Sequence, residues 1–124
     1  MTTDHRIALG RAGEGLALEH LQRLGFTLVA RNHRTRHGEL DLIVCGPDTL
    51  VFVEVKTRIA GRGGPTPWDS LDVRKRRQVR RMAAAFLHDV TERPHLREIR
   101  FDAIGVLLDA AGDLVALEHL EDAF

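Results

Sequence analysis

The sequence of 124 residues contains no tyrosine, one tryptophan and one cysteine. The single cysteine, Cys45, excludes an internal disulfide and favours a reducing, cytoplasmic setting. No apolar run approaches the roughly 20 residues that a membrane-spanning helix needs, and the first ten residues lack the apolar stretch of a signal peptide. We therefore expect one domain over 1–124 with no membrane partner.

Charge is unevenly distributed, although the formal net charge is zero. Residues 101–124 contain six acidic residues and neither lysine nor arginine. Residues 1–100 therefore carry all 18 basic residues against the remaining 12 acidic ones, a surplus of six positive charges. A basic face that binds nucleic acid is compatible with this distribution.

Hydrophobic periodicity predicts an α/β fold whose sheet is covered by helices on either side, in the order αβββαβ with a possible extra strand. Gly25 ends the first helix, and Ser70 is the predicted cap of the second. Residues 32–38 read as a basic loop, and the first strands should form an antiparallel meander. The predicted helices span 5–24 and 70–89; the predicted strands are 26–31, 39–45, 50–56, one within 97–109 and the possible one at 113–120.

The second and third strands carry acidic side chains. A four-residue turn at 46–49 pairs Cys45 with Leu50, and counting back from that pair sets Asp41 opposite Glu54. Directly opposed residues have Cβ atoms about 5 Å apart, so the two carboxylates repel unless a cation lies between them. Oxygen ligands favour a hard ion, Mg²⁺ or Mn²⁺. By alternation, the aliphatic face of this hairpin consists of Leu40, Leu42, Val44, Val51, Val53 and Val55.

A plainer interpretation of the hairpin is a solvated face with a Glu39–Lys56 ion pair. Two residues favour the cation site instead. Glu14 lies on the apolar face of the first helix, where a carboxylate is costly unless it has a partner. It is either partly exposed near the edge of that face, paired with an arginine, or close enough to reach the same cation. Lys75 lies on the apolar stripe of the second helix, where it either extends to solvent or points at the site.

The second helix also carries a run of arginines without acidic residues between them. A solvated face is one interpretation, and contacts to nucleic-acid phosphates are the favoured one. Trp68 either stacks on a base or anchors its loop. The residues predicted to bind nucleic acid are Arg31, Arg34, Arg58, Arg74, Lys75, Arg77 and Arg81.

Asp41 followed by Glu54-x-Lys56 resembles the PD-(D/E)xK nuclease signature, with Leu40 in place of the proline. The wider pattern resembles the YraN family, which is similar to archaeal Holliday-junction resolvases. The resemblance rests on GEGLALEHLQRLGF, RN at 31–32, GELDLI at 38–43, VFVEVKTR at 51–58, Lys75 with Ala83 and Phe86–Leu87 behind it, and RFD at 100–102.

This resemblance implies a restriction-endonuclease-like fold, with a mixed sheet flanked by helices, and a metal-dependent nuclease. Asp41, Glu54 and the backbone carbonyl of Val55 would be metal ligands, and Lys56 would orient or activate the attacking water. Glu14 would match the helix carboxylate of the resolvase-like branch. The resemblance also implies nucleic acid, DNA above all, as the partner, and a homodimer.

The alternative function is a nucleic-acid-binding module of the same fold with little or no activity. A third is an interaction scaffold that uses the acidic residues 109–124 as a docking strand.

Overall fold

The structure is a computed structural model that describes residues 3–61, 72–89 and 97–124. Two helices and five strands follow in the order αβββαββ, so the possible extra strand is present. The predicted mixed α/β architecture is confirmed. The elements are α1 (Thr3–Arg23), β1 (Thr27–Thr35), β2 (Gly38–Cys45), β3 (Thr49–Ile59), α2 (Val73–Asp89), β4 (Glu98–Leu108) and β5 (Leu114–Leu120).

The five strands form one mixed sheet in the order β1-β2-β3-β4-β5. Short turns join the first three strands, which pair antiparallel as predicted. The connection from β3 to β4 includes α2, and these two strands are parallel over their whole length. A parallel pair needs such a long crossover, because the chain must return to the end of the sheet where it began.

One helix packs on each face of the sheet. The α1-side core consists of Ala17, Leu18, Leu21, Leu42, Val44, Val51, Val53, Ile104, Val106 and Leu108. The α2-side core contains Leu40, Ile43, Leu50, Phe52, Val79, Met82, Ala83, Phe86, Phe101, Ala103 and Phe124. Both faces of β3 are therefore buried over residues 50–54, which places the Glu54 side chain in a largely dry environment.

The prediction of a basic loop at 32–38 is wrong. β1 continues to Thr35 and pairs with β2 up to Thr35↔Gly38. The tight turn is stabilised by the Thr35 hydroxyl, which donates to the Gly38 carbonyl and accepts from the His37 N–H at 3.0 Å. Gly38 has a φ of 134°, which a residue with a Cβ rarely adopts.

Regular alternation fails at Asp41. Leu42 and Val44 share one face, as predicted, and that face belongs to the α1-side core, whereas Leu40 packs in the α2-side core, on the same face as Ile43. The predicted aliphatic face is therefore wrong at Leu40. The adjacent strand is irregular at the same level, because Asn32 has a left-handed backbone with a φ of 51°.

Helix α2 begins at Val73, and its cap is Asp72. The Asp72 Oδ1 accepts the Lys75 backbone N–H at 2.8 Å, the usual bond of a capping aspartate. The predicted cap Ser70 and the predicted roles of Trp68 lie outside the described residues. None of the described helices is long and apolar enough to cross a membrane.

The buried Asp102 connects β4 to the end of the chain. Arg100 donates to both of its carboxylate oxygens, at 2.8 and 2.9 Å, and the Asp122 N–H donates to one of them. His119 lies 2.7 Å from the other oxygen and shares a 3.0 Å hydrogen bond with His20 of α1. Burial raises the pKa of Asp102, but the bonds from His119 and Arg100 outweigh it and leave that pKa below its ordinary value.

Candidate functional site

The candidate site begins where the β2–β3 ladder ends. The predicted pair Cys45↔Leu50 is confirmed, and the ladder continues to Leu42↔Val53. At the next position a side chain replaces the main-chain pairing. The Asp41 Oδ2 accepts a hydrogen bond from the Val55 backbone N–H at 2.8 Å. The predicted pairing of Asp41 directly opposite Glu54 is therefore absent from the ladder, but this bond still places the Asp41 carboxylate close enough to Glu54 for the two groups to interact.

Asp41 and Glu54 are two acidic groups in a confined space. Burial and the negative charge of Glu54 raise the pKa of Asp41 from its usual 3.8 to about 8, against the opposing effect of the Val55 N–H. The charge of Glu14 and a hydrogen bond to Glu54 raise this pKa further. At neutral pH the pair therefore favours a bound proton or cation over two free negative charges.

Two lysines approach Glu54, whose side chain is only 7% exposed. Lys75 of α2 lies 2.9 Å from Glu54 Oε1, and Lys56 of the same strand lies 3.6 Å from the same oxygen. Lys75 therefore points at the site, which is one of the two orientations predicted for it. Glu39, in contrast, bonds to Arg34 and Asn32 on β1 rather than to Lys56.

Glu14 reaches the site from α1. The helix approaches β3 closely at Gly13, where an added Cβ would overlap the Thr57 hydroxyl and lie 2.9 Å from the Thr57 Cβ. The Glu14 Oε2 accepts a hydrogen bond from the Asn32 side-chain nitrogen at 2.8 Å, and that nitrogen also donates to Glu39 Oε1 at 3.0 Å. The predicted partner of Glu14 was an arginine or a cation; here its partner is Asn32.

Within the described residues, no three histidine, cysteine, aspartate or glutamate side chains are grouped closely enough to hold a metal ion by themselves. The donor set at Asp41 and Glu54 is thus two carboxylates. Oxygen donors of this kind suit Mg²⁺ and Mn²⁺, which commonly bind through one or two carboxylates and keep several waters. The chemistry of the pair fits a hard divalent ion that takes its other ligands from backbone, water or substrate.

Two cavities, of about 760 and 690 Å³, share His37 and Arg81, and together they form what we call the basic groove. The groove runs between α2 and the β1–β2 turn. Lys75 lines one of the two cavities and also contacts Glu54, so this one side chain links the groove to the acidic pair, although neither Asp41 nor Glu54 lines the groove. The basic residues that line the groove are Arg34, Arg36, Arg74, Lys75, Arg77 and Arg81, with His37 and His88.

The predicted nucleic-acid contacts divide into two sets. Arg34, Arg74, Lys75, Arg77 and Arg81 line the basic groove, whereas Arg31 and Arg58 line neither of its two cavities. Arg80 of the same helix serves the fold, because its guanidinium donates to the Phe124 carbonyl at 2.7 Å and lies 4.7 Å from the Phe101 ring centroid.

Sequence patterns did not identify the parts played by Asn32 and Gly13. Asn32 was noted only as part of the RN pair, and nothing in strand periodicity indicates a left-handed residue there. Asparagine is one of the few residues that tolerates this conformation, and that is the only signal the sequence offers. Gly13 is one of three glycines in α1, and only its packing against Thr57 distinguishes it.

The fold and site define a mixed α/β protein with an acidic pair, two attendant lysines and an adjoining basic groove. The family model described as "Uncharacterised protein family UPF0102" matches residues 13–106, which include Glu14, Asp41, Glu54, Lys56 and Lys75. The chain belongs to this family, and the predicted relationship to YraN proteins is confirmed.

Relatives named UPF0102 protein match nearly the whole chain. One from Rhodococcus opacus strain B4 is 40% identical over 120 residues, which cover 97% of this chain and 98% of the relative. One from Chlorobium chlorochromatii strain CaD3 is 42% identical, covering 94% of this chain and 90% of the relative. One from Mycobacterium avium strain 104 is 46% identical over 107 residues, covering 85% and 81%.

Proposed function

We propose that this protein is a metal-dependent nuclease that hydrolyses phosphodiester bonds in nucleic acid, with DNA as the expected substrate. The observation that carries the proposal is the Asp41–Glu54 pair, in which the Val55 N–H binds Asp41 while Lys56 and Lys75 contact Glu54. Two carboxylates in this arrangement are costly for folding alone, and a divalent ion offsets that cost.

The proposal includes a restriction-endonuclease-like fold of the PD-(D/E)xK type. The mixed sheet with helices on both faces and the Asp41, Glu54-x-Lys56 arrangement on adjacent strands support it. Asp41, Glu54 and the Val55 carbonyl would hold Mg²⁺ or Mn²⁺. Such an ion supplies Lewis acidity toward a phosphoryl oxygen and lowers the pKa of a bound water.

The chain's own residues provide orientation and charge. In the hydrolysis, a water oxygen forms a bond to phosphorus while the ester P–O bond breaks and the leaving oxygen takes up a proton. Lys56, whose side chain is 37% exposed, is accessible to the substrate while it stays within 3.6 Å of Glu54. Its ammonium would orient the water and offset negative charge on the pentacovalent phosphorus.

The basic groove would hold the substrate backbone. Its basic side chains extend from Lys75, which contacts Glu54, to His88, and its lining contains no phenylalanine, tyrosine or tryptophan among the residues that the structure describes. Recognition would therefore depend on phosphates and shape rather than on base stacking or base edges. A homodimer would suit a branched substrate with two equivalent strands.

A nucleic-acid-binding module without activity is the second candidate function. The observation that favours it is the 2.9 Å contact between Lys75 and Glu54, because this lysine offsets the charge of one carboxylate without any metal. In this case the basic groove would work alone, and the acidic pair would serve the structure.

The test is a cleavage assay on labelled linear, flapped and four-way-junction DNA, and on RNA, with Mg²⁺, with Mn²⁺ and with EDTA. Asp41→Asn and Lys56→Ala are compared with Arg23→Ala, an exposed charge change on α1 outside the groove. Cleavage that requires the metal and disappears in the two site variants, but not in Arg23→Ala, supports the nuclease. Binding that weakens with salt, without cleavage, indicates the binding module.

A further inference from the structure

Asn32 has an unusual backbone for a residue in a strand. Its φ is 51°, and Asp122 is the only other non-glycine residue with a positive φ in the described part of the chain. Backbone outliers of this kind persist where the surrounding structure enforces them, often beside functional groups. Asn32 belongs to β1 at the level of Asp41, since Arg31↔Leu42 and His33↔Leu40 pair on either side of it.

The Asn32 side chain joins two carboxylates from different elements. Its Nδ2 donates to Glu14 Oε2 of α1 at 2.8 Å and to Glu39 Oε1 of β2 at 3.0 Å. The other Glu39 oxygen accepts from the exposed Arg34 at 3.1 Å. These hydrogen bonds form a chain. Arg34 orients the Glu39 carboxylate, that carboxylate orients the Asn32 carboxamide, and the carboxamide orients the Glu14 carboxylate.

We infer that Asn32 is a positioning residue that holds the Glu14 carboxylate toward Asp41. The inference rests on the proposed nuclease function and deepens it by giving Glu14 a defined place. Glu14 is close enough for its charge to act on Asp41, yet it is not grouped with Asp41 and Glu54 as a third direct ligand. So held, Glu14 would accept hydrogen bonds from water around a divalent ion at the acidic pair.

A neutral carboxamide suits this position. Two carboxylates within 3.0 Å of one nitrogen need a donor with two hydrogens, and an amide supplies both without adding charge. Aspartate has nearly the same shape and also tolerates the left-handed backbone, but it would add a third negative charge. Glycine tolerates the backbone and removes only the donor.

The glycine variant therefore separates the side chain from the backbone. Single-turnover cleavage with Mn²⁺ is measured for the wild type, Asn32→Gly, Glu14→Gln and the double variant. Each single variant is expected to be about 10- to 100-fold slower. Because Asn32 acts through Glu14, the double variant should be no slower than Glu14→Gln alone. Wild-type rates in Asn32→Gly, or effects that multiply in the double variant, would overturn the inference.

A second readout needs neither metal nor substrate. The side-chain amide signals of Asn32 in a ¹H–¹⁵N spectrum should shift in Glu14→Gln and in Glu39→Gln, but not in Glu19→Gln, an exposed change on the same helix. Asn32 signals that do not respond to Glu14→Gln would contradict the contact, whatever the cleavage result.

These readouts separate the inference from the proposed function. If the amide signals shift but the wild type cleaves nothing, the proposed function fails and Mn²⁺ affinity without nucleic acid decides the role of Asn32. Affinity about tenfold weaker in Asn32→Gly supports positioning. Unchanged affinity, or no Mn²⁺ binding to the wild type, overturns it. If Asn32→Gly does not fold, Asn32→Asp replaces it in the cleavage assay: its added negative charge repels Glu14, so cleavage should be at least as slow as in Glu14→Gln, and a wild-type rate would overturn the inference.

Discussion

The Lys75 ammonium lies 2.9 Å from Glu54 Oε1 and so connects the first turn of α2 to β3. The same lysine lines the basic groove. One side chain therefore connects the surface proposed to bind phosphates with the carboxylates proposed to bind metal. The contact also stabilises the metal-free protein, since it offsets part of the negative charge at the acidic pair.

Lys75→Met should destabilise the metal-free protein. Methionine keeps the apolar stem but leaves Glu54 with only the 3.6 Å contact to Lys56. We expect the free energy of unfolding to fall by about 2 kcal/mol, because a largely buried carboxylate loses a charged hydrogen bond. Urea denaturation measures the loss, and Arg76→Met, an exposed change on the same helix, should lie within about 0.5 kcal/mol of the wild type.

Added Mn²⁺ should recover stability in Lys75→Met, because the acidic pair then has a cation again. If Lys75→Met and the wild type have the same urea midpoint, the Lys75 charge does not stabilise Glu54.

Gly13→Ala tests the close approach of α1 to β3. The new Cβ would overlap the Thr57 hydroxyl, so the helix must shift and move Glu14 with it. We expect a loss of about 1–3 kcal/mol in unfolding free energy, as for other overpacked contacts. Gly10→Ala has open space around its Cβ and should instead gain about 0.5–1 kcal/mol from helix propensity. Equal effects of the two changes in thermal or urea unfolding would show that α1 does not approach β3 closely at Gly13.

Local patterns predicted most of the architecture. The alternating apolar residues of β2 and β3, with a four-residue turn between them, fixed the Cys45↔Leu50 register. They did not reveal that Leu40 changes face, because that depends on the left-handed Asn32 of the adjacent strand and on the Asp41 contact with Val55. Residues 32–38 looked like a loop because their side chains are polar, although their backbone groups pair in a regular hairpin up to Thr35↔Gly38.

Arg77→Ala and Arg81→Ala should weaken nucleic-acid binding to a similar extent for every base sequence of the ligand. Both residues line the basic groove, and each lost phosphate contact should reduce the slope of log affinity against log salt by about one. Arg76→Ala, which removes the same charge from the same helix outside the groove lining, is the matched control. Fluorescence anisotropy over a range of salt concentrations measures all three. Equal losses in the three variants would indicate general charge attraction rather than a groove.

Asp102 should make the fold sensitive to acid. Its pKa lies below the ordinary value in the folded protein, so the unfolded chain binds the proton more readily. The stability that Asp102 contributes is therefore complete above its unfolded pKa of about 4 and is lost as pH falls through the folded pKa.

Asp102→Asn should lower the unfolding free energy at pH 7 by about 3 kcal/mol, because Arg100 loses its buried partner. The gap to the wild type should shrink as pH falls below about 4. Urea unfolding at several pH values measures it, with the exposed Asp113→Asn as control. A gap that is the same in acid and at neutral pH would contradict the assigned role of Asp102.

The candidate site was predictable where a polar residue interrupts an apolar pattern. Glu14 and Lys75 were recognised because each lies on the buried stripe of its helix, and both reach the site from opposite faces of the sheet. Asn32 was not predictable in this way. An asparagine in a polar strand is unremarkable until the fold brings Glu14 and Glu39 to its nitrogen.

The central claim is that Asp41 and Glu54 form a divalent-cation site, and a Mn²⁺ titration tests it most directly. Calorimetry or electron paramagnetic resonance on the protein without nucleic acid should detect Mn²⁺ bound to the wild type, with affinity at least about tenfold weaker in Asp41→Asn and in Glu54→Gln. Asp113→Asn, an exposed carboxylate away from the pair, should bind like the wild type. Equal Mn²⁺ affinity in all four proteins, or none in the wild type, would contradict the account.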